Sequence, residues 1–247
     1  MFSDSRSRLA AFHHKPEARS VWWEVLNRVK MSGIEIPDGL FDDIIGHEEA
    51  KNLFTRALQE ERVHFLLIGP PASAKTLFLL CLERLPRTRY VLGSRMSKAG
   101  LTDYLITNRP RIILIDEIDK LCGPDYGVLL SLCETGRVTE LLYNRAREAT
   151  LETTVFACAN TLKGIPPEVV SRFLVLFFKP YSQQEFFCIV ENLLKRRGID
   201  QEASTYIARK VWHDLGSRDP REAIRISKMG RTKEAVDQVI SWLRKYR

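Results

Sequence analysis

The stretch that decides the fold is His64-Phe65-Leu66-Leu67-Ile68-Gly69-Pro70-Pro71-Ala72-Ser73-Ala74-Lys75-Thr76, followed by an apolar helical pattern from Leu77 to Leu82. An apolar run of strand length, a turn rich in small residues, a lysine and a hydroxyl in this order are typical of a phosphate-binding loop. In such a loop, backbone N–H groups and the positive end of the next helix face the anion. We therefore predict nucleotide contacts at Gly69, Pro70, Pro71, Ala72, Ser73, Ala74, Lys75, Thr76 and Leu77.

The end of this loop carries the residues with the most specific chemistry. We predict that Lys75 reaches the outer phosphates and that the hydroxyl of Thr76 ligates Mg²⁺. Two alanines depart from the usual pattern, because Ala74 precedes the lysine and Ala72 occupies another position where glycine is common. Since a methyl group is the smallest side chain, we expect a right-handed turn that accommodates both alanines.

A second apolar run extends from Arg111 to Ile115 and ends in the carboxylates of Asp116 and Glu117. Its continuous apolar pattern predicts a strand of a parallel sheet that is covered on both faces, and ligands bind at the carboxyl ends of such strands. We predict that Asp116 holds Mg²⁺ beside the phosphate loop. Glu117 is predicted to orient and deprotonate the attacking water.

The periodicity of the remaining sequence predicts an α/β core followed by a helical domain. Strands are expected at residues 85–92, 153–159 and 174–178, a loop at 93–104, and a β-hairpin at 138–152 with its turn at 144–147. The last strand, 174–178, is expected in the core. Helices are predicted at 182–197, 201–215, 220–229 and 232–246. The predicted domains are a basic arm and helix at 1–39, an α/β nucleotide-binding domain at 40–180 and the helical domain at 181–247.

The composition is that of an ordinary globular protein, with 45% hydrophobic and 28% charged residues. The formal net charge of +7 favours an anionic partner such as nucleic acid, and a mildly basic surface without any partner explains it equally well. No apolar run has the length of a membrane helix, the first residues lack the apolar region of a signal peptide, and the cysteines lack metal-site or disulfide spacing. We therefore expect a cytoplasmic protein with reduced thiols in its core and no membrane contact.

The order of the motifs resembles the AAA+ ATPase superfamily over residues 40–247. The matching segments are 69–76 as Walker A, 112–117 as Walker B, Asn160 as sensor 1, Ser171-Arg172-Phe173 as the arginine-finger segment, and Asp219-Pro220-Arg221 as sensor 2 at the start of a lid helix. The resemblance implies a parallel-sheet P-loop core with a C-terminal helical lid, the cofactors ATP and Mg²⁺, and assembly into an oligomer.

The resemblance also implies roles for residues outside the phosphate loop. Asn160 would position the attacking water together with Glu117, and Arg221 would touch the γ-phosphate in the same chain. Arg172 would reach the ATP of a neighbouring chain, which makes a ring, expected to be hexameric, part of the enzyme. The alternative for Arg172 is a surface arginine that caps the end of a helix.

Finer details resemble the AAA+ branch that has a hairpin before sensor 1. These details are Ala74, the inserted segment 93–104 and the hairpin before Asn160. The branch includes minichromosome-maintenance helicases, MoxR-like remodelling ATPases, Lon proteases and the bacterial Holliday-junction branch-migration motor. Residues 41–48 especially resemble the last of these, which implies an adenine pocket at Ile44, Ile45 and Gly46.

In this branch the inserted segment and the hairpin line a central pore, which makes Arg95, Lys98, Arg145 and Arg147 candidate nucleic-acid contacts. Cations in a pore favour a phosphate backbone, and charge that only aids solubility is the alternative. Our leading hypothesis is an ATP-driven oligomeric motor on DNA, of the helicase or branch-migration type. The alternatives are a MoxR-like protein-remodelling ATPase and a scaffold that binds ATP only to assemble. Since no DNA-binding domain follows the lid in this sequence, we expect a partner protein to supply one.

Overall fold

The computed structural model describes residues 34–59, 62–142 and 145–246. Most of the predicted amino-terminal arm and helix, residues 1–33, lies outside them. The elements of the α/β part are α1 (Glu48–Gln59), β1 (Phe65–Ile68), α2 (Lys75–Leu82), β2 (Thr88–Leu92), α3 (Lys98–Asn108), β3 (Ile112–Asp116), α4 (Tyr126–Thr135), β4 (Arg137–Leu142), β5 (Arg145–Thr150), β6 (Thr154–Ala159), α5 (Pro167–Val170) and β7 (Leu174–Phe177). Short 3-10 turns lie at Gly93–Arg95, Ile118–Lys120 and Gly123–Asp125.

One parallel sheet forms the centre of this part, with the strand order β2-β3-β6-β1-β7. Its register pairs Leu67 with Cys158 and Ile112 with Thr154. Every residue of β1 and β6 is buried, which explains the continuous apolar runs in their sequences. Because the strands are parallel, the residues that follow β1, β3 and β6 meet at the carboxyl edge of the sheet.

Helices cover both faces of the sheet. On one face, the ring of Phe54 in α1 lies 5.0 to 5.4 Å from the rings of Phe65, Phe78 and Phe156, measured between centroids. On the other face, Leu105 of α3 and Leu129 of α4 are fully buried. The carboxyl edge of the sheet therefore rests on a packed core that holds its loops in place.

The helical part consists of α6 (Gln183–Lys195), α7 (Gln201–His213), α8 (Pro220–Met229) and α9 (Lys233–Lys245). Ser182 and Glu185 form a capping box at the start of α6, and the Asp219 side chain caps α8. These helices begin and end within two residues of the predicted positions, because the capping residues and the glycines after them are readable in the sequence. The predicted fold class, a parallel-sheet P-loop core with a C-terminal helical lid, is confirmed.

Residues 93–104, predicted to form a loop, are mostly helical. The Ser97 hydroxyl accepts a hydrogen bond from the Gly100 N–H and caps α3. Leu101 and Leu105, four residues apart, are both buried against the sheet. The prediction was wrong because this helical spacing begins only after the small polar residues of the segment.

Two strand predictions also need correction. Strand β7 lies at the edge of the sheet, and the exposed fractions of Leu174 and Phe177 are 44% and 69%, so it is not the core strand that we expected. In the hairpin, β5 starts at Arg145, so Arg145 and Arg147 belong to a strand and not to the turn. Glu140 pairs with Arg147 across the two strands.

Within the described ranges, no helix is both long and apolar enough to cross a membrane. All of the cysteines are free thiols, and Cys81, Cys133 and Cys158 are buried as expected. Cys122 and Cys188 are exposed, which corrects the expectation that every cysteine lies in the core.

Candidate nucleotide-binding site

A cleft of about 470 Å³ lies where the carboxyl edge of the sheet meets the helical part. Residues 71–77 of the phosphate loop form its floor, with Asp116, Glu117 and Asn160 beside them. Arg221 lines the cleft from the start of α8. The structure thus brings residues from four separate stretches of the chain to one cavity.

The two alanines of the loop adopt left-handed backbone conformations. Ala72 has a φ of 61° and Ala74 a φ of 68°, so the right-handed turn that we expected is wrong. Left-handed backbone costs an alanine on the order of 1 kcal/mol relative to glycine, since its Cβ crowds the carbonyl oxygen. The loop therefore keeps the backbone typical of glycine at these positions although alanine occupies them.

Gly69 is required by a close contact between β1 and β7. A Cβ atom added to Gly69 would lie 2.4 Å from the carbonyl oxygen of Phe178. Ser73, whose exposed fraction is 1%, donates a hydrogen bond of 2.8 Å from Oγ to the Pro70 carbonyl. The loop is therefore stabilised by the hydrogen bond between Ser73 and Pro70 and by the close packing of Gly69 against the Phe178 backbone.

The Lys75 ammonium lies in the middle of the loop. Its Nζ donates hydrogen bonds of 2.7 Å to the carbonyls of both Gly69 and Pro70, and lies 3.4 Å from the Asn160 Oδ1. Burial lowers the pKa of Lys75 from its usual value, while the charge of Asp116 opposes this shift. A phosphate in the loop would compete with the two carbonyls for the protons of Nζ.

Three groups hold the Asp116 carboxylate. Its Oδ2 accepts hydrogen bonds of 2.9 Å from the Thr76 hydroxyl and of 2.9 Å from the Tyr90 hydroxyl. Its Oδ1 accepts the N–H of Glu117 at 2.9 Å. Burial, followed by the bond to Asp116, raises the pKa of Tyr90, so this hydroxyl stays protonated and acts as the donor. Sequence reasoning missed Tyr90, because only the register of β2 on β3 brings it to Asp116.

The hydroxyl of Thr76 and the carboxylate of Asp116 suit Mg²⁺. Both offer hard oxygen atoms, and Mg²⁺ typically takes one or two protein oxygens together with phosphate oxygens and water. In the described part of the chain, no group of three or more His, Cys, Asp and Glu side chains is arranged to hold a metal alone. The donor set thus fits a Mg²⁺ ion that arrives with a nucleotide.

Glu117 begins the turn after β3 with a φ of 55°, which places it in the left-handed region. Glu117 is exposed and lines the same cleft as Asn160. An exposed carboxylate at this edge can accept a proton from water in the cleft.

The helical part contributes one cation and an apolar wall. The Nε of Arg221 lies 3.0 Å from each carboxylate oxygen of Asp219, which raises the pKa of the guanidinium. Sequence reasoning missed the apolar wall, because it forms only when α6 and α8 meet the core. Its members are Tyr181, Ile189, Leu193, Pro220 and Ile224.

The three predicted adenine contacts do not line the cleft formed by the described residues. Ile44 is 2% exposed and belongs to the core. A Cβ atom on Gly46 would lie 2.5 Å from the Glu185 Oε1, so Gly46 packs against the start of α6. Ile45 is half-buried beside them. Among the described residues, the apolar surface of the cleft is therefore the wall from α6 and α8 and not the segment at residues 44–46.

Arg172 is not among the described residues that line the cleft. Its guanidinium donates to the Glu168 carbonyl at 3.0 Å, to the Ser171 hydroxyl at 2.9 Å and to the Glu134 Oε2 at 3.1 Å. These contacts match the alternative of a helix-capping arginine, and they leave the side chain half-buried at the surface. Arg172 thus does not meet the nucleotide cleft of its own chain.

The four candidate cations on the inserted segment and the hairpin differ in their surroundings. Arg95, at the end of the 3-10 turn after β2, and Lys98, the first residue of α3, are both exposed. Arg147 donates hydrogen bonds of 2.6 Å to both Glu140 and Asp103, so its charge is already neutralised. This pairing argues against a phosphate contact at Arg147. The side chain of Arg145 lies outside the described side chains.

The fold and the cleft define a P-loop nucleotide-binding protein. The family model described as "ATPase family associated with various cellular activities (AAA)" matches residues 65–181. Residues 65–181, just under half of the chain, therefore form a domain that matches the AAA ATPases, and this match is consistent with binding and hydrolysis of ATP.

Solved structures of Thermotoga maritima RuvB are similar in fold. A mutant of that protein has a TM-score of 0.66 and 21% sequence identity, and the match covers 85% of this chain and 74% of that one. The structure described as the RuvB Holliday junction branch migration motor has a TM-score of 0.61 and 20% identity, with coverage of 82% and 71%. At sequence identities this low, the likeness shows that the fold is shared and nothing more.

A curated relative matches a shorter segment. The archaeal Lon protease of Halobacterium salinarum is 33% identical over 79 residues. This segment is 32% of the present chain and 10% of the Lon protease, so the chain spans only a small part of that relative.

Proposed function

We propose that this chain is an oligomeric AAA+ motor that hydrolyses ATP to act on DNA, as a helicase or branch-migration engine. The observation that carries the ATPase part is the meeting of the phosphate loop, Asp116, Glu117, Asn160 and Arg221 at one cleft. The DNA part is supported by the basic net charge of +7 and by the structural likeness to a protein described as a branch migration motor.

The chemistry follows from the positions of the side chains. Lys75 stabilises the charge that develops on the β- and γ-phosphates, and the apolar wall receives the adenine. Thr76 and Asp116 hold Mg²⁺, which neutralises phosphate charge when it is bound. Glu117 accepts the proton of the attacking water, and Asn160 holds that water by its amide.

The two arginines act from different chains in this proposal. Arg221 leaves Asp219 for the γ-phosphate of its own chain. Arg172, which does not line its own cleft among the described residues, exchanges its contact with Glu134 for the nucleotide of a neighbour. A ring of chains, with six as the expected number, gives every cleft such a neighbour. An exposed Glu117 and a surface Arg172 favour this motor over a scaffold that only binds ATP.

Rates of ATP hydrolysis test the DNA assignment. The full chain is assayed alone and with single-stranded, duplex and four-way-junction DNA at several salt concentrations. We expect at least one DNA form to bind and to raise the rate, with an effect that weakens as salt increases. Lack of both binding and stimulation at low salt would contradict the DNA assignment and leave the ATPase assignment intact.

An ATPase that remodels proteins is the second candidate. The segment shared with an archaeal Lon protease favours it. The same assay with an unfolded protein in place of DNA separates the two candidates, since each predicts stimulation by only one polymer. In both cases a cytoplasmic location and a partner protein remain predictions.

A further inference from the structure

A second groove, with a volume of about 430 Å³, lies at the edge of the sheet beside β2. It is lined by the last residues of β2, the 3-10 turn after it and the first turns of α3. Ligand sites in proteins typically have volumes of about 300 to 1,000 Å³. The groove is therefore large enough for a nucleotide unit of a polymer.

The lining combines aromatic rings with one cation. Tyr90 and Tyr104 are half-buried, with Met96 between the elements that carry them, while Arg95 is exposed. None of the described residues that line the groove is acidic. Within the described ranges, Arg95 also has no carboxylate partner, in contrast to Arg147.

Aromatic faces beside an arginine are the features that bind single-stranded nucleic acid. A base stacks on an aromatic ring whatever its identity, and an arginine contacts the phosphate. An acidic peptide would satisfy Arg95 and leave the two rings without partners of matching shape. The lining therefore favours nucleic acid.

One residue connects this groove to the ATP cleft. Tyr90 lines the groove, and it donates its hydroxyl proton to the Asp116 Oδ2 at 2.9 Å. Asp116 lines the cleft and is hydrogen-bonded to Thr76. A group that contacts Tyr90 in the groove is thus one hydrogen bond away from the carboxylate proposed to hold Mg²⁺.

We propose that the β2 groove binds a segment of single-stranded nucleic acid and that Tyr90 transmits its occupancy to Asp116. This inference rests on the proposed function, for which it names the contact surface. Arg95 binds a phosphate, Tyr104 stacks on a base, and the occupied groove restrains the ring of Tyr90. Tyr90 is a positioning residue, because it acts on the nucleotide site through Asp116.

Binding of a fluorescent oligothymidylate to the full chain tests the groove. We expect Arg95→Ala to weaken binding several-fold. The slope of log affinity against log salt concentration should become shallower by about one, as expected for the loss of one phosphate contact. Tyr104→Ala is expected to weaken binding by about tenfold, and Tyr104→Phe to retain it, since stacking needs only the ring. Arg209→Ala and Tyr246→Ala, which replace an exposed arginine and an exposed tyrosine of the helical part, serve as matched controls.

To test whether Tyr90 links the groove to Asp116, we would measure the Mg²⁺ concentration that gives half of the maximal ATPase rate. In the unmodified chain we expect the oligonucleotide to lower this concentration at least twofold. In Tyr90→Phe, which keeps the ring and loses the donor, we expect oligonucleotide binding to persist and the effect on Mg²⁺ to vanish. If the oligonucleotide lowers the half-maximal Mg²⁺ concentration equally in Tyr90→Phe, the proposed link through the Tyr90 hydroxyl is wrong.

The outcomes separate this inference from the proposed function. If the unmodified chain binds the oligonucleotide and the Arg95 and Tyr104 variants match their controls, the groove is not the site and the DNA motor stands. If the unmodified chain does not bind the oligonucleotide, with or without binding to polyglutamate, the groove assignment fails, and the DNA assignment fails with it only if duplex and junction DNA also do not bind. Circular dichroism of each variant, compared with the unmodified chain, excludes loss of folding as the cause.

Discussion

The ammonium nitrogen of Lys75 lies 3.4 Å from the amide oxygen of Asn160, although 85 positions separate the two residues in the chain. They meet because β1 and β6 are neighbours in the sheet. Asn160 directly follows β6, and Lys75 begins α2 after the loop that follows β1. The contact holds the amide oxygen of Asn160 against the lysine at the end of the predicted phosphate loop.

Asn160→Ala should lower the ATPase rate about 100-fold, because the water loses the amide that positions it. Nucleotide affinity should change little, since the phosphate loop is intact. Binding of a fluorescent ATP analogue and the steady-state rate measure the two effects. An equal loss of binding and turnover would instead show that Asn160 only supports the loop through Lys75.

Glu117→Gln should retain ATP and lose at least about 100-fold in turnover, since the amide cannot accept the proton of water. The exchange keeps the size of the side chain at an exposed position. A single-turnover assay with bound ATP checks this result. Normal turnover in this variant would refute the assignment of Glu117 as the base, while Glu168→Gln, at another exposed glutamate, is the control.

Mixing two inactive chains tests whether Arg172 acts on a neighbour. Arg172→Ala lacks the arginine, and Lys75→Ala lacks the phosphate-binding lysine. A mixed oligomer contains some clefts with an intact Lys75 that face an intact Arg172, so the mixture should recover part of the ATPase rate. If Arg172 only caps its helix through Glu168 and Glu134, mixing restores nothing.

Ala74→Gly should stabilise the fold by up to about 1 kcal/mol, because glycine removes the cost of the left-handed conformation at a φ of 68°. Denaturant unfolding without nucleotide measures the change. Ala99→Gly, in the first turn of α3, is the matched control, and should destabilise by about 0.5 to 1 kcal/mol since its backbone is helical. A loss of stability in both variants would contradict strain at Ala74.

His64 makes the stability depend on pH. Its Nδ1 accepts the Val155 N–H, its Nε2 donates to the Cys133 carbonyl, and burial lowers its pKa to about 4. The unfolded chain takes up the proton near pH 6.5 and the folded chain only near pH 4, so stability falls as the pH drops between these values. The total loss should be roughly 3 kcal/mol.

Unfolding free energies measured from pH 7.5 to pH 4 check this prediction. His64→Gln should be less stable at neutral pH and should lose this part of the pH dependence. A profile that stays steep in His64→Gln would assign the effect to other groups.

Local patterns explain which features the sequence could predict. The phosphate loop, the strand before Asp116 and the helices after Pro180 depend on neighbours in the chain, so their residues reveal them. The contact of Tyr90 with Asp116 and the apolar wall around Ile189 depend on strand register and domain packing. The pairing of Arg147 with Asp103, which neutralises a predicted DNA contact, depends on the same long-range packing.

The open edge at β7 has a practical consequence for handling the isolated chain. Phe177, at 69% exposure, lies on a strand whose outer side has no strand partner among the described residues. Such edges promote aggregation by pairing with each other. We therefore expect the purified chain to lose solubility as its concentration rises, and Phe177→Lys to delay that loss without altering the buried face of the sheet.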